Sequence, residues 1–201
     1  MVEEIIDVGT SKFNIEEIWF KKFCNKYEKE ETTKNSRSVF QYDWQRFLWA
    51  FILGISVGQK TPLGEKTKNP PFGKEVFDKR QNILKTMIGL TLQELYKDNP
   101  DQLKTDFEQA SENGENLGRK IKLAIEEYAN TGFSILDRRS KEKLGYIENI
   151  EYVIEDILSD KTWNLWSVNY ANQTRGLVLI YLFFAALNPC VLNYEFNYIL
   201  L

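Results

Sequence analysis

Histidine is absent from all 201 residues. Ser-His-Asp and Cys-His triads, HNH-type nucleases, His-bearing zinc sites and His-based phosphotransfer are therefore excluded within the chain. What remains is chemistry by Asp, Glu, Lys, Tyr, Ser or Cys. Cysteine is nearly absent too. Cys24 and Cys190 stand far apart with no CxxC pair and no second cluster to complete a zinc site, a usage that fits a reducing cytoplasm. No metal or other cofactor is expected. Long apolar runs are scarce: Gly176 to Leu187 would span ~18 Å as a helix, against the ~30 Å of a bilayer core. Asn188-Pro189 ends that run, so a buried core helix is expected there and no membrane role. The opening Met1-Val-Glu-Glu-Ile-Ile-Asp lacks the basic and apolar regions of a secretory signal, so export is not expected. Excess positive charge is missing as well. A net charge of −3 gives no overall attraction to nucleic acid, and such binding would need a local basic face.

What is present is enough for one folded domain. Apolar residues at 43% and charged residues at 27% lie far from the composition of disordered chains. A chain of this size buries roughly 70% of the surface it exposes when unfolded. Aromatics, at 14%, are the departure from average, and such side chains dominate both cores and interfaces.

Periodicity points to an all-α, single-domain bundle of about seven to nine helices. Asn14-Ile-Glu-Glu17 reads as a capping box opening a helix over about 14 to 29. Tyr42 to Val57 is apolar almost all round and reads as a central buried helix ended by Gly58. Gln59 to Gly73 carries Pro62, Gly64, Pro70, Pro71 and Gly73, which predicts a long exposed loop near 59 to 74 with no strand in it. Helical spacing resumes from Val76 to Tyr96, with Gly89 as a place where two helices meet. Asn99-Pro100-Asp101 starts a short amphipathic helix. Another runs from about Glu115 to Asn130 and is closed at Gly132, and a further one spans Ser140 to Ser159.

Three middle segments carry a family likeness: Phe40-x-Tyr42-x-Trp44-Gln45-x-Phe47 leading into Ala50-Phe51-Ile52-Leu53-Gly54, then Lys60-Thr-Pro-Leu63, then Ile125 to Leu136. The set resembles the small accessory proteins encoded in bacterial DNA phosphorothioation (Dnd) and related phage-defence islands, described as Dnd system-associated protein 4. The likeness covers about residues 36 to 140, and Tyr128-Ala-Asn-x-Gly132 is its most specific element. Residues 141 to 201 read as a helical extension beyond that core. The resemblance implies a place beside defence machinery and brings no catalytic residues with it.

Two basic concentrations are candidate contacts for nucleic acid or an acidic partner. Lys60, Lys66, Lys68, Lys74, Lys79 and Arg80 lie in and after the loop, against Glu65, Glu75 and Asp78. Arg119, Lys120 and Lys122, then Arg138, Arg139, Lys141 and Lys143, flank Tyr128 to Gly132. The plain reading of both is solvated surface charge. Glu65-Lys-Thr-Lys68 offers an acid and a lysine as metal-dependent nucleases do, but that chemistry needs a strand beside another acid. Glu126-Glu127 and the pair Glu151 and Glu155 read as solvated faces, and Trp163, Trp166 and Tyr170 as a core edge or, alternatively, a partner anchor.

The chain closes on Tyr194, Phe196, Tyr198, Leu200 and Leu201, an apolar tail expected to pack on a partner. The expectation is a non-catalytic accessory or adaptor subunit of a bacterial anti-phage defence complex, acting through protein contacts. Its partners would be subunits encoded nearby, such as a larger nuclease, ATPase or helicase component. A DNA-binding module using the basic loop 59 to 80 is the first alternative. A carboxylate-dependent enzyme is the second.

Overall fold

The computed structural model describes residues 8, 12–24, 40, 42–69, 81–113, 117–147, 149 and 152. Along the chain these form β1 (Ile15–Glu16), α1 (Glu17–Trp19, running on as a π-helical turn Phe20–Cys24), α2 (Asp43–Val57), β2 (Thr67–Lys68), α3 (Gln81–Tyr96), α4 (Pro100–Asn113) and α5 (Leu117–Glu142). The class is all-α, with five helices and one two-residue antiparallel bridge among the described residues. None of these helices is long and apolar enough to cross a membrane.

α2 is the axis of the molecule. The Gln45 carboxamide reaches back to accept the Tyr42 amide proton at 2.9 Å, and Gly58 ends the helix in the left-handed region at φ 65°. Every residue from Trp44 to Ile55 is buried. Arg46 is among them because its guanidinium is matched, one nitrogen donating to the Asp43 carboxylate and another to the Phe40 carbonyl, both at 2.7 Å.

α5 runs antiparallel across α2, and the two backbones touch. A Cβ on Gly54 would lie 1.8 Å from the Tyr128 carbonyl oxygen, and one on Gly132 would lie 1.7 Å from the Ala50 carbonyl oxygen. Small residues are placed where each helix meets the other's peptide groups. Phe51 packs edge-on to Tyr128, while Phe133 receives Phe23 from the π-turn. α3 lies against both long helices, and α4 bridges α3 and α5.

Several expectations need correction. Gly132 does not close a helix: α5 continues to Glu142, because the glycine is selected by helix contact and not by backbone sign. The chain turns only afterwards, at Gly145, with φ 75°. Gly89 divides nothing, since α3 passes through it on the exposed side. Asn14 is no cap, because its side chain binds Glu126, and β1 precedes a helix that begins at Glu17. The exposed loop does contain a strand, Thr67–Lys68, paired in register Ile15 with Lys68 and Glu16 with Thr67. The count of seven to nine helices is not matched: five are found among the described residues, with one helix, α3, where two were expected around Gly89. The expected helix over Gly176 to Leu187, most of the one over Ser140 to Ser159, and the Trp163, Trp166 and Tyr170 cluster lie outside the described residues.

The glycines give a test with opposite signs. Gly54→Ala or Gly132→Ala should cost about 3 kcal/mol or more, because the methyl meets rigid backbone. Gly89→Ala meets nothing within 4 Å and should stabilise by roughly 0.5–1 kcal/mol through helix propensity. Urea unfolding of the three variants checks both signs. Equal effects at all three positions would contradict the contact.

Candidate functional site

Asn130 sits on the apolar face of α5, 3% exposed, and its carboxamide is fully engaged. The oxygen accepts the Trp19 indole proton at 2.7 Å. The nitrogen donates to the Glu16 carboxylate at 2.9 Å and faces the Thr61 and Pro62 carbonyls at 3.3 and 3.1 Å. Only this orientation satisfies the site, since an indole N–H donates and carbonyls accept. One side chain thus joins three stretches: α1 and β1, the start of the 59–69 loop, and α5.

Neighbouring groups complete the junction. Thr131 and Thr61 share a hydroxyl hydrogen bond at 2.9 Å, and the Thr61 amide donates to the Glu127 carbonyl at 3.3 Å. Glu16 also accepts the Gly64 amide at 2.9 Å. The Glu17 amide donates to the Lys66 carbonyl at 3.0 Å, continuing the β1–β2 bridge. Glu126 is buried and not a solvated acid. It accepts the Asn14 amide at 2.8 Å and the Asn14 carboxamide at 3.1 Å, with Lys122 at 3.8 Å. Burial raises its pKa above the ordinary carboxylate value, against the pull of the Asn14 hydrogen bonds.

The purpose of this junction is visible in what it holds. Apart from Leu63, which is half-buried, residues 59 to 69 are exposed, yet their backbone is fixed at Thr61, Pro62, Gly64, Lys66 and the β2 pair. A loop with little core of its own is held in one shape by buried polar groups beneath it. Beside it, Glu16, Glu17, Ile18, Lys21, Gly64, Glu65 and Lys66 line an open depression.

The expected contact residues fall into separate places. Lys60 pairs with Glu127 at 3.6 Å, and Lys68 lies 3.9 Å from Glu17, while Lys66 is exposed. Arg138 is exposed near the C-terminal end of α5. Arg139 turns away from solvent to donate to the Tyr146 hydroxyl at 3.1 Å. Arg119 and Lys120 stand about 27 Å from Arg138 along the helix, at ~1.5 Å per residue, so the second basic concentration is two. Lys74, Lys79, Arg80 and the tail residues Tyr194, Phe196, Tyr198, Leu200 and Leu201 lie outside the described residues.

Lys120 has a structural task. It donates to Asp106 at 2.5 Å and to the Tyr96 hydroxyl at 3.0 Å, and Tyr96 itself donates to Asp106. Gln102 adds a bond at 2.7 Å. This clamp ties α3, α4 and α5 together. The Lys120 and Tyr96 hydrogen bonds hold the Asp106 carboxyl down at about 2. Cys24 is buried, and desolvation pushes its thiol up to about 12, far from the thiolate a nucleophile needs. Among the described residues no three Asp, Glu or Cys are grouped to hold a metal.

Sequence reasoning missed Asn14, Glu16 and Trp19, because their partners lie more than a hundred residues away. The available signal was Asn130 itself, a polar group within an apolar stripe.

Two outcomes follow. Asn130→Ala should cost on the order of 2–3 kcal/mol by stranding the Trp19 N–H and the carbonyls, and should speed hydrogen exchange in residues 59 to 66. Asn130→Asp, though isosteric, should rescue nothing, because it sets a carboxylate against Glu16 and two carbonyls; exchange rates equal to wild type would refute the junction. Asp106 has a folded value below its ordinary 3.8, so its clamp stabilises the fold fully above about pH 4 and loses effect as pH falls to about 2. The melting difference between wild type and Asp106→Asn should therefore shrink across that window.

A scan against family models matches the chain to DNA sulphur modification system-associated protein 4 over residues 26–162. No curated protein and no solved structure matches it. The matched span holds α2 to α5 and the loop, including Asn130 and Thr61, and extends on both sides beyond the 36 to 140 likeness read from the sequence. The partners Asn14, Glu16 and Trp19 precede it. With more than half of its length matched, the chain belongs to the DNA sulphur modification system-associated protein 4 family.

Proposed function

We propose that this protein is a non-catalytic accessory subunit of a DNA sulphur modification system that works in the cytoplasm by binding other proteins of the system, in defence against phage. The observation that carries the reading is the Asn130 junction. Of the four hydrogen-bonding contacts of its buried carboxamide, two go to the Thr61 and Pro62 carbonyls of an exposed loop and two to Trp19 and Glu16, and Glu16 in turn accepts the loop's Gly64 amide. Fixing a surface loop in advance lowers the ordering cost of binding, and loops on rigid scaffolds are where recognition residues concentrate. Membership of a family named for association with a modification system supports the same role. The pairing of Lys60 with Glu127 and the approach of Lys68 to Glu17 lower the loop's net charge, which suits a protein partner better than a polyanion. The inert, buried Cys24 thiol agrees with a role without chemistry and with a reducing compartment.

The partner would be a larger subunit encoded nearby, of nuclease, ATPase or helicase type. The apolar tail Tyr194 to Leu201 is a second proposed contact. Co-purification of the full chain with the products of neighbouring genes tests this. The wild-type chain should retain at least one of them. Glu65→Lys, exposed on the loop, should weaken that retention roughly tenfold without lowering the melting temperature. Deleting residues 193–201 should weaken assembly in the same way. A wild-type chain that retains no protein of its own system would overturn the proposal.

A further inference from the structure

α1 carries two lysines, Lys21 and Lys22, that no motif singles out, and the fold places them between cations that are remote in sequence. At its start, Glu17 meets the loop through the Lys66 carbonyl and the Lys68 ammonium. Five residues on, Lys22 reaches the Asp137 carboxylate, whose other oxygen holds Lys141 at 2.7 Å. Two ammonium groups from different elements thus share one carboxylate. Asp137 is 13% exposed, whereas Lys22 and Lys141 are 39% and 71% exposed, so the acid is covered and the cations face out.

Helical geometry completes the face. At ~100° per residue, Ser134, Arg138 and Lys141 share the side of α5 that Asp137 borders, and Ser134 and Arg138 are exposed. Glu142 stands on the far flank of Arg138. The other cations of this helix end are engaged elsewhere: Arg139 with Tyr146, and Lys143 3.6 Å from the centre of the Tyr152 ring. Attraction to the negative end of the helix dipole accounts for cations in the last turn. It does not account for Lys22, which comes from another element and is fixed there by a shared acid.

We infer that Lys22, Arg138 and Lys141 form a contact surface for the phosphate backbone of duplex DNA. Lys22, Arg138 and Lys141 outnumber the covered Asp137 and the exposed Glu142 by one, which leaves this face positive on a net-negative chain, and phosphate contacts are made by such cations. Protein interfaces are built instead around a desolvated, less charged core. The inference goes beyond the proposed accessory role, and its three cations are not among the residues that line the depression beside Glu65.

The test is fluorescence anisotropy of a labelled duplex of random sequence with the isolated full-length chain, so the result does not depend on any protein partner. Binding should be measurable near 50 mM salt, and log K should fall with log salt with a slope of roughly −2.7, the value for about three phosphate contacts. The triple variant Lys22→Glu, Arg138→Glu, Lys141→Glu should bind at least tenfold more weakly. Arg138→Glu alone, at an exposed position, should show a smaller loss and covers the case in which the triple variant misfolds. Asp137→Asn should bind more tightly than wild type, because it removes the carboxylate that holds both ammonium groups; a merely structural pair would show no gain. Lys104→Glu, on α4, should bind as wild type. Absence of salt-dependent binding by the wild-type chain overturns the inference, as does a set of variants that all bind alike. If the triple variant keeps its fold and loses a co-purifying protein while DNA binding is unchanged, the face is a protein contact and the inference is wrong.

Discussion

Everything in this fold depends on two helices being allowed to touch at the level of their peptide groups. Gly54 lies under the Tyr128 carbonyl and Gly132 under that of Ala50, so α2 and α5 approach more closely than side chains would permit. The large aromatic and aliphatic groups of α2 are displaced to either side of this seam, where Phe47, Phe51 and Ile55 are wholly buried. Close packing then transmits the constraint, because a dense core cannot absorb a shift of even one methyl group. α5 must run straight past the crossing, which is why it is the longest helix described and why it can carry the Asn130 junction near its middle and the Asp137 pair near its end.

The same crossing explains why polar chemistry appears on an otherwise apolar stripe. Asn130 and Thr131 occupy positions where α5 is covered by chain segments rather than by another helix. Loop and strand backbones bring carbonyls and amides that need partners, and a buried carboxamide, hydroxyl or carboxylate supplies them. Glu126 serves Asn14 in the same way one turn earlier, accepting the desolvation of a carboxylate in exchange for tying down the start of β1. The protein's surface character is therefore set from beneath.

How much of this could be read from the chain follows the range of the interactions concerned. α2 was legible from Tyr42 to Gly58, because apolar content and a terminating glycine both act within a few residues. The start of α4 at Pro100 was legible for the same reason. Gly132 misled because a glycine at a helix end and a glycine at a helix crossing look alike until the crossing partner is known. Asn14 misled in the same manner, as a cap motif whose side chain is claimed by a residue 112 positions away. Of the junction, the Tyr128 to Gly132 element stood out, while the groups it binds did not. The two-residue bridge lies below the length at which alternation can be seen at all. Lys120 and Arg139 show the remaining difficulty: composition counts a cation, and only packing reveals that it is already employed by Asp106 or Tyr146.

The contacts that shape the loop also set when it can exist. They join residues 14–19 to residues 126–131 and Thr61 and Pro62 to Asn130 and Thr131, across 112 residues from Asn14 to Glu126 and 70 from Thr61 to Thr131. Contacts so remote in sequence require large loops to be closed before they return any stabilisation, and they form late in folding. α2 can acquire helical structure early from local propensity, but the loop has no shape until α5 has been made and has docked. A chain that ends before residue 130 lacks the side chains of Asn130 and Thr131 that fix the loop. A partner that recognises the loop would thereby be screened from incomplete chains, with the long-range wiring of the fold acting as a check on its own completion.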